Sequence, residues 1–306
     1  MKRMIMAALL LLLVIIIQKT NLAKAEAKTN CEATQFKIVM KSTTDMKEKA
    51  SATSKTVKSY KKNNELSASG RTGNWYKVCH SKKTAYIKMA DAKEVFSSDE
   101  EALLKKFDTR KGVNQVVSVK GKSMSETKVT IQAYEKKQGE WRRALKKMEG
   151  VIGKNGFTKS KKEGDGKSPV GIYSFGTAFG SKTKPAGMKM SYRKTTNYDY
   201  WIDDQTSKDY NKWETYKGNP ADKWKSFERM NYELYRYGAV INYNTNPIIK
   251  GKGSAIFLHI WRGETKPTAG CVATAEKNVL SLLKWMDPLQ KPHIVMGTND
   301  SLKSVK

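Results

Sequence analysis

The chain has 306 residues, enough for two compact domains after a removable leader, although the length alone also permits one large domain. Hydrophobic residues make up only 39% of it, but seven Trp, fourteen Tyr and eight Phe supply bulky core side chains, which excludes a disordered chain. The 58 Lys and Arg outnumber the 29 Asp and Glu, and the resulting net charge of +29 is spread along the whole sequence.

Residues 1–25 have the pattern of a secretory signal peptide. Lys2 and Arg3 precede an apolar run from Met4 to Ile17, and a small-x-small cleavage pattern follows at residues 23–25. The run has about 14 residues, short of the roughly 20 that span a bilayer. We therefore predict an exported protein that begins near Glu26. An uncleaved amino-terminal anchor is the alternative, and only this segment would then meet a membrane.

Export determines what the positive charge means. In a cytosolic protein it would indicate nucleic acid, because neutralised phosphates release counterions, but an exported protein is not expected to bind nucleic acid. Anionic cell-wall polymers are the alternative partner, since a basic surface would be held on them by salt-sensitive attraction. A solubilising lysine coat without any partner explains the same charge equally well.

The cysteine count is odd, with Cys31, Cys79 and Cys271. At most two of them can pair within one chain in an oxidising exterior. Cys31 and Cys79 flank one short segment and are the natural pair, which leaves Cys271 free. The sequence does not prove this pairing, and free structural thiols at both sites stay open.

Residues 26–92 form the first predicted domain, a small all-β unit. Its predicted strands are Phe36–Met40, Glu65–Ala68, Trp75–Val78 and Thr84–Met89. The run GNWYKV, followed by TAYIKM, resembles the late strands of bacterial Src-homology-3-type domains. The resemblance implies a small β-barrel that binds wall peptide or glycan, but no position reads as a ligand contact, and Trp75 and His80 are expected to be structural.

A linker with one short helix is predicted at residues 93–111, because Ser and Asp caps precede the apolar positions Leu103, Leu104 and Phe107.

A second β-rich domain follows over residues 112–298, and residues 299–306 are a predicted tail. Residues 180–235 are rich in Tyr, Trp, Asn and Lys, so we expect long surface excursions that wall a cleft. The first predicted strands of this domain are Gln115–Val119, Lys128–Tyr134, Glu140–Leu145 and Glu149–Gly153, with a hairpin turn at 137–139.

The stretch GSAIFLHIWRGETKPTAGCVA carries the chemistry. His259 lies near the end of a predicted apolar strand, Ser254–Ile260, and Cys271 follows in the next turn. A thiol with an ordinary pKa of ~8.5 is mostly protonated at neutral pH, so a cysteine nucleophile needs a base, and His259 is the nearby candidate. Gly270 permits close backbone approach, and amides of this turn are expected to stabilise an oxyanion. Cys and His as packing residues remain the alternative.

The sequence contains no motif for metal-dependent or serine-based catalysis. The sequence has no CxxC or HExxH spacing for a metal ion and no GxSxG elbow for a serine triad, so we expect neither a metal nor a cofactor. His293 is predicted to be a structural residue of the last strand.

The motif TAGC at residues 268–271 matches the Ser/Thr-x-Gly-Cys motif of the L,D-transpeptidase (YkuD-like) family, and a strand histidine precedes both. The segment SPVGIY at residues 168–173 resembles the family's TPxGxF segment, and the similarity extends from about Gly112 to Gly297. The resemblance implies a mainly β fold with a few helices, in which Cys271 is the nucleophile and His259 the base.

The same resemblance assigns supporting roles. Thr268, Ala269 and Gly270 are implied to form the motif around the oxyanion site. Ser168, Gly171 and Tyr173 are candidate substrate contacts in the second segment.

The motif departs from the commoner family pattern at two positions. A second His two residues before the Cys and an Arg two residues after it are replaced by Ala269 and Ala273. His259 is thus left as the sole base, and Arg262 is a candidate substitute for holding a substrate carboxylate.

The implied function is peptidoglycan L,D-transpeptidation, with a role in cell-wall biogenesis and cell shape. The thiol attacks a stem tetrapeptide, forms a thioester and passes the acyl group to an amine. Two alternatives stay open. One is a hydrolase, an L,D-carboxypeptidase or endopeptidase with the same residues, and the other is a noncatalytic wall-binding protein.

Overall fold

The computed structural model describes residues 31–305, so the predicted signal peptide lies outside the described residues. The chain divides after Val95 into two compact units, both rich in β-strands. None of the helices found between residues 31 and 305 is both long and apolar enough to cross a bilayer. The predicted mainly β class with a few helices is confirmed.

The first unit is one antiparallel sheet in the order β3-β2-β6-β5-β4-β1-β7. Alternate residues of the first strand, Phe36, Ile38 and Met40, are buried, which is the pattern of a strand with one face on a core. The predicted strands form, but the sequence missed the polar strands β2 and β3 and the short closing strand β7. Its strands are β1 Phe36–Met40, β2 Thr44–Lys47, β3 Thr56–Tyr60, β4 Glu65–Thr72, β5 Trp75–His80, β6 Lys83–Lys88 and β7 Ala92–Val95.

The predicted disulfide is confirmed. Cys31 and Cys79 are bonded across a sequence separation of 48 residues, and Cys271 is a buried free thiol.

The predicted linker is corrected by the structure. Ser97 caps a helix, α1 Ser98–Asp108, through a capping box with Glu100. Its buried positions Leu103, Leu104 and Phe107 pack in one hydrophobic cluster with strands of the second unit. The strand β7 before it belongs to the first unit. Residues 93–111 are therefore shared between the two units, because the apolar face of the helix needs a core to cover it.

The second unit is built on a sheet that closes on itself. Its strand order is β10-β9-β11-β21-β20-β19-β14-β22-β8, and β8 also pairs with β9, which closes the strands from β9 to β8 into a ring and leaves β10 as an extra strand on β9. Gln138 and Gly139 both have positive φ in the two-residue turn before β10, as predicted for that hairpin. Its strands are β8 Gln115–Lys120, β9 Lys128–Lys137, β10 Glu140–Arg143, β11 Met148–Val151, β12 Phe157–Thr158, β13 Ser168–Pro169, β14 Gly171–Gly180, β15 Tyr192–Lys194, β16 Asp199–Ile202, β17 Trp213–Thr215, β18 Phe227–Arg229, β19 Gly238–Ile241, β20 Phe257–Ile260, β21 Val272–Thr274 and β22 His293–Gly297.

Two further helices complete this unit. The helix α2 Glu276–Trp285 follows β21 and buries Val279, Leu282 and Leu283 against the barrel. The predicted tail instead contains a helix, α3 Asn299–Lys303, whose Leu302 joins the cluster around α1. Short 3-10 helices lie at Met89–Asp91, Pro220–Asp222, Glu233–Tyr235 and Pro288–Gln290.

The aromatic-rich region 180–235 is more ordered than a set of surface loops. The strands β17, β16 and β18 form a separate antiparallel sheet. Tyr200, Ile202 and Trp224 pack into a small core beneath it. Aromatic side chains supply this core because each buries a large apolar area even where aliphatic residues are scarce.

We expect α1 to be part of the stable second unit. A fragment starting at Phe96 should unfold cooperatively, whereas a fragment starting at Gly112 should be less stable by at least about 3 kcal/mol, because three buried side chains are lost. Urea unfolding followed by tryptophan fluorescence gives both free energies. In the full chain, Leu104→Ala should cost about 2–5 kcal/mol, and exposed Lys105→Ala is the matched control on the same helix. Equal stability of the two fragments would contradict this assignment.

The disulfide should stabilise the first unit through loop closure. Replacing Cys31 and Cys79 together by Ala should lower its free energy of unfolding by about 2–4 kcal/mol. Cys271→Ala serves as the control, because it removes a cysteine without opening the loop. Alkylation of unreduced, unfolded wild-type protein should modify one thiol, and modification of three would show that the pair is not bonded.

Candidate active site

Two neighbouring strands bring His259 and Cys271 together. Strands β20 and β21 are parallel, and His259 is in register with Ala273. Cys271 lies two residues before Ala273, so the alternation of side chains puts Cys271 on the same face of the sheet as His259. The two residues are therefore diagonal neighbours, separated along the strand direction by one side-chain repeat.

The thiol of Cys271 is enclosed. The residue is only 6% exposed, its Sγ donates to the carbonyl oxygen of Ala255 at 3.2 Å, and Sγ accepts from the Phe257 N–H at 3.4 Å. Burial raises the pKa of the thiol well above its ordinary value, and the nearby carboxyl group of Glu228 adds to this effect. In the resting protein Cys271 is thus a neutral thiol.

The imidazole of His259 is also neutral and has one free nitrogen. Its Nδ1 lies 2.8 Å from the carbonyl oxygen of Ile260, which can only accept, so Nδ1 carries the proton. Nε2 has no hydrogen-bond partner among residues 31–305 and is left as an acceptor. Burial lowers the pKa of His259 to about 4, and the positive charge of Arg262 contributes. The arrangement is a neutral thiol next to a neutral base.

The turn before Cys271 is held by its own hydroxyl. Thr268 Oγ1 accepts from the Gly270 N–H at 3.1 Å and donates to the Cys271 carbonyl oxygen at 2.7 Å. Within residues 31–305, the N–H groups of Ala269 and Cys271 make no hydrogen bond. Two backbone donors beside the thiol are therefore available to a developing oxyanion.

Gly270 is required where it stands. Its φ is +156°, and a Cβ at this position would lie 3.0 Å from the carbonyl oxygen of Lys167. Ser168 Oγ donates to the Gly270 carbonyl oxygen at 2.5 Å and accepts from the Gly153 N–H at 3.0 Å. The motif turn is thus packed directly against the SPVGIY segment.

His259 and Cys271 line one cavity of about 210 Å³. The predicted motif residues Thr268 and Ala269 and the proposed carboxylate ligand Arg262 also line it. Residues from the aromatic-rich region form another part of the wall, as the sequence predicted for that region. The lining residues are Glu228, Tyr232, Leu234, Tyr235, His259, Trp261, Arg262, Lys266, Pro267, Thr268, Ala269 and Cys271.

Comparison with known families agrees with this geometry. The model of the L,D-transpeptidase catalytic domain, YkuD, matches residues 125–298, which is more than half of the chain. The chain belongs to the YkuD family. The family consists of enzymes that act on peptidoglycan. A search of curated proteins found no match.

Two solved structures are similar to this YkuD protein. One is the helical cell shape determining protein Pgp2 from Campylobacter jejuni, with 15% sequence identity and a TM-score of 0.32, covering 65% of this chain and 55% of that chain. The other is a lysine-to-alanine mutant of Pgp2, with 15% identity and a TM-score of 0.30, covering 66% of this chain and 56% of that chain. The YkuD protein thus spans a little over half the length of these chains.

The predicted substrate contacts are only partly brought to the cavity. Arg262 lines it, and its Nη2 donates to the Pro267 carbonyl oxygen at 2.9 Å. Ser168, Gly171 and Tyr173 do not line it. Ser168 is fully buried, and the Tyr173 hydroxyl donates to the Val170 carbonyl oxygen at 2.8 Å. Ser168 instead supports the motif turn through its bond to the Gly270 carbonyl oxygen, and a substrate contact at any of the three positions stays a prediction.

The sequence missed Glu228 and Tyr235. The Tyr235 hydroxyl donates to Glu228 Oε2 at 2.6 Å, and the Tyr235 ring meets the His259 ring edge to face with centroids 5.2 Å apart. Neither residue lies in a recognisable motif, and the only signal was the aromatic composition of the region.

As for a metal site, the described residues contain no cluster of three or more His, Cys, Asp or Glu suited to one. His293 begins the last strand, as predicted.

The neutral state of His259 should make the fold sensitive to acid. Its pKa is about 4 in the folded protein against an ordinary 6.5, so the unfolded chain binds more protons between these values. Stability from His259 is present above pH 6.5 and is lost as the pH falls to 4, by up to about 3 kcal/mol. Glu228 acts oppositely, because burial raises its pKa to about 7 and its protonation stabilises the fold as the pH falls.

A difference measurement isolates the histidine. We expect His259→Asn to lose less free energy of unfolding than the wild type between pH 6.5 and 4. Chemical unfolding at several pH values measures this, and Cys271→Ala, which keeps the imidazole, should follow the wild type. Parallel curves for wild type and His259→Asn would show that His259 is not buried in the neutral form.

Proposed function

We propose that the protein is an exported peptidoglycan L,D-transpeptidase with Cys271 as its nucleophile and His259 as its base. The observation that carries the proposal is the unoccupied Nε2 acceptor of a buried imidazole on the same sheet face as a buried free thiol, within one cavity. Membership of a peptidoglycan enzyme family supplies the substrate class.

In the first half-reaction the Cys271 proton passes to His259 Nε2 as Sγ attacks the carbonyl carbon before the terminal D-residue of a tetrapeptide stem. The N–H groups of Cys271 and Ala269 then donate to the resulting oxyanion, which is supported by their lack of a hydrogen-bond partner among residues 31–305. The C–N bond then breaks, and His259 gives the proton to the leaving amine. A thioester on Cys271 and a free D-amino acid are the products.

In the second half-reaction a neutral amine of another stem attacks the thioester. His259 takes a proton from that amine, and the departing Sγ regains it as the thiol, so no proton is gained or lost over the cycle. Water in place of the amine would give the hydrolase. The same residues serve both reactions, and the acceptor alone distinguishes them.

The Cys271 and His259 pair, in which both side chains are neutral before substrate binds, fits this two-step mechanism. Burial disfavours both the thiolate and the imidazolium, so the proton is expected to move only when substrate is seated and attack begins. The pair is thereby protected from unproductive ionisation in the empty cavity.

We also propose that the first unit and the basic surface hold the enzyme on the cell wall. The candidate catalytic residues all lie in the second unit. The net charge of +29 favours anionic wall polymers.

We expect Cys271→Ala to abolish release of the terminal D-residue from tetrapeptide muropeptides while the fold remains intact. Cys271→Ser should fail too, because a lone imidazole ionises a hydroxyl poorly. His259→Ala should lose about 10²–10⁴ in kcat/KM, with partial recovery only at high pH, where the buried thiol ionises without a base. Liquid chromatography of the products with mass spectrometry measures each step.

Adding a D-amino acid acceptor to the same assay identifies the reaction. Exchange at the terminal position indicates transfer, and release alone indicates hydrolysis. A carbapenem should add its mass to the wild type and not to Cys271→Ala. Full activity of Cys271→Ala would reject the mechanism, and an inert Cys271 in a wild type that binds peptidoglycan would favour the noncatalytic binder.

A further inference from the structure

Glu228 is the only carboxylate among the described residues that line the cavity. The basic residues of the wall, Arg262 and Lys266, both come from the loop between β20 and β21. Glu228 comes instead from β18 in the separate three-stranded sheet, where it is in register with Trp201. The cavity therefore has one negative group and two positive groups, supplied by different parts of the second unit.

The Glu228 carboxyl group is held in place, but only one of its two oxygens has a hydrogen-bond donor. Oε2 accepts from the Tyr235 hydroxyl at 2.6 Å. Across residues 31–305, no Lys, Arg or His pairs with Glu228, and Oε1 has no hydrogen-bond donor. Tyr235 also packs edge to face on His259, so one residue contacts both the carboxyl group and the candidate base.

The surroundings of Glu228 favour a cationic ligand. Burial raises the pKa of its carboxyl group to about 7, and the negative groups Asp203 and Glu163 contribute. A partly buried carboxylate without a counter-ion is stabilised by any cation that reaches it, and most by one that also donates hydrogen bonds. A primary ammonium group has three N–H donors and fits this need.

We propose that Glu228 binds a primary ammonium group on a side chain of the acyl donor and thereby selects donor stems that carry a free side-chain amine. This inference rests on the proposed function, and it names a feature of the substrate that the motif does not specify. Glu228 would be a specificity-determining residue that contacts substrate without taking part in proton transfer.

The donor is favoured over the acceptor on chemical grounds. The acceptor amine needs its lone pair to attack the thioester, and a carboxylate stabilises the protonated form, which has none. Binding of the acceptor by Glu228 would therefore oppose the reaction. A non-reacting ammonium on the donor can remain charged throughout both half-reactions.

The first test uses wild-type protein alone. Two tetrapeptides are compared that differ only in the third residue, one with a free side-chain amine and one with that amine acetylated. We expect kcat/KM for release of the terminal D-residue to be about 10- to 100-fold lower for the acetylated peptide, as for loss of one charged hydrogen bond. Equal values for the two peptides would overturn the inference.

The second test removes the charge from the protein. Glu228→Gln keeps the shape and an acceptor for Tyr235, and it should lose about 10- to 100-fold on the free-amine peptide and little on the acetylated one. Glu233→Gln is the matched control, because Glu233 is acidic, lies in the same region and pairs with Arg236 on the surface. It should keep the full preference. A folded Glu228→Gln that also keeps the preference would overturn the inference.

Failure of the inference and failure of the proposed function give different results. Release from both peptides without a preference rejects the role of Glu228 and leaves the enzyme in place. No release from either peptide, and no Cys271 adduct with a carbapenem, rejects the proposed function and the inference with it. If Glu228→Gln does not fold, the comparison of the free-amine and acetylated peptides with wild-type protein still tests the inference.

Discussion

The parallel pairing of β20 with β21 is the contact on which the candidate site depends. Its register aligns His259 with Ala273 and puts Cys271 one side-chain repeat away on the same face. A slip by one residue would turn the thiol to the opposite face of the sheet. The register is secured on both sides, since β20 also pairs with β19 and β21 with β11 inside a sheet that closes on itself. The precision of the site is thus a property of the whole barrel.

Burial then sets the electrostatic state of the pair. Enclosure favours the neutral forms of both side chains, and the hydrogen bond from Nδ1 to Ile260 directs the free lone pair of His259 to Nε2. The motif turn is fixed from behind by Thr268 Oγ1 and Ser168 Oγ, which occupy the Gly270 amide and carbonyl oxygen. The neighbouring amides are left without partners, so the same contacts that rigidify the turn provide the proposed oxyanion donors.

The aromatic-rich region adds what the barrel lacks. It folds around a small core of its own and contributes Glu228 and Tyr235 to the cavity wall. The cavity wall consequently carries one acidic and two basic side chains within a strongly basic protein. A polar substrate with charges of both signs can be oriented by such a cavity even though the usual Arg after the Cys is replaced by Ala273.

The sequence by itself determined the β-rich character of the chain and the family, and it indicated Cys31 and Cys79 as the natural disulfide pair and Cys271 and His259 as candidate catalytic residues. Each of these follows from local patterns such as strand alternation, cysteine spacing and a short motif. Prediction from sequence failed for segments whose burial depends on a hydrophobic core built from residues that are distant in the sequence. The predicted linker is a helix buried against strands of the second unit, and the predicted tail is another. Ser168 illustrates the same limit, since the motif indicated its importance and only the tertiary structure decided that its hydroxyl supports Gly270. Glu228 and Tyr235 could not be assigned from sequence, because their places in the cavity wall arise from tertiary packing, and no local pattern encodes those contacts.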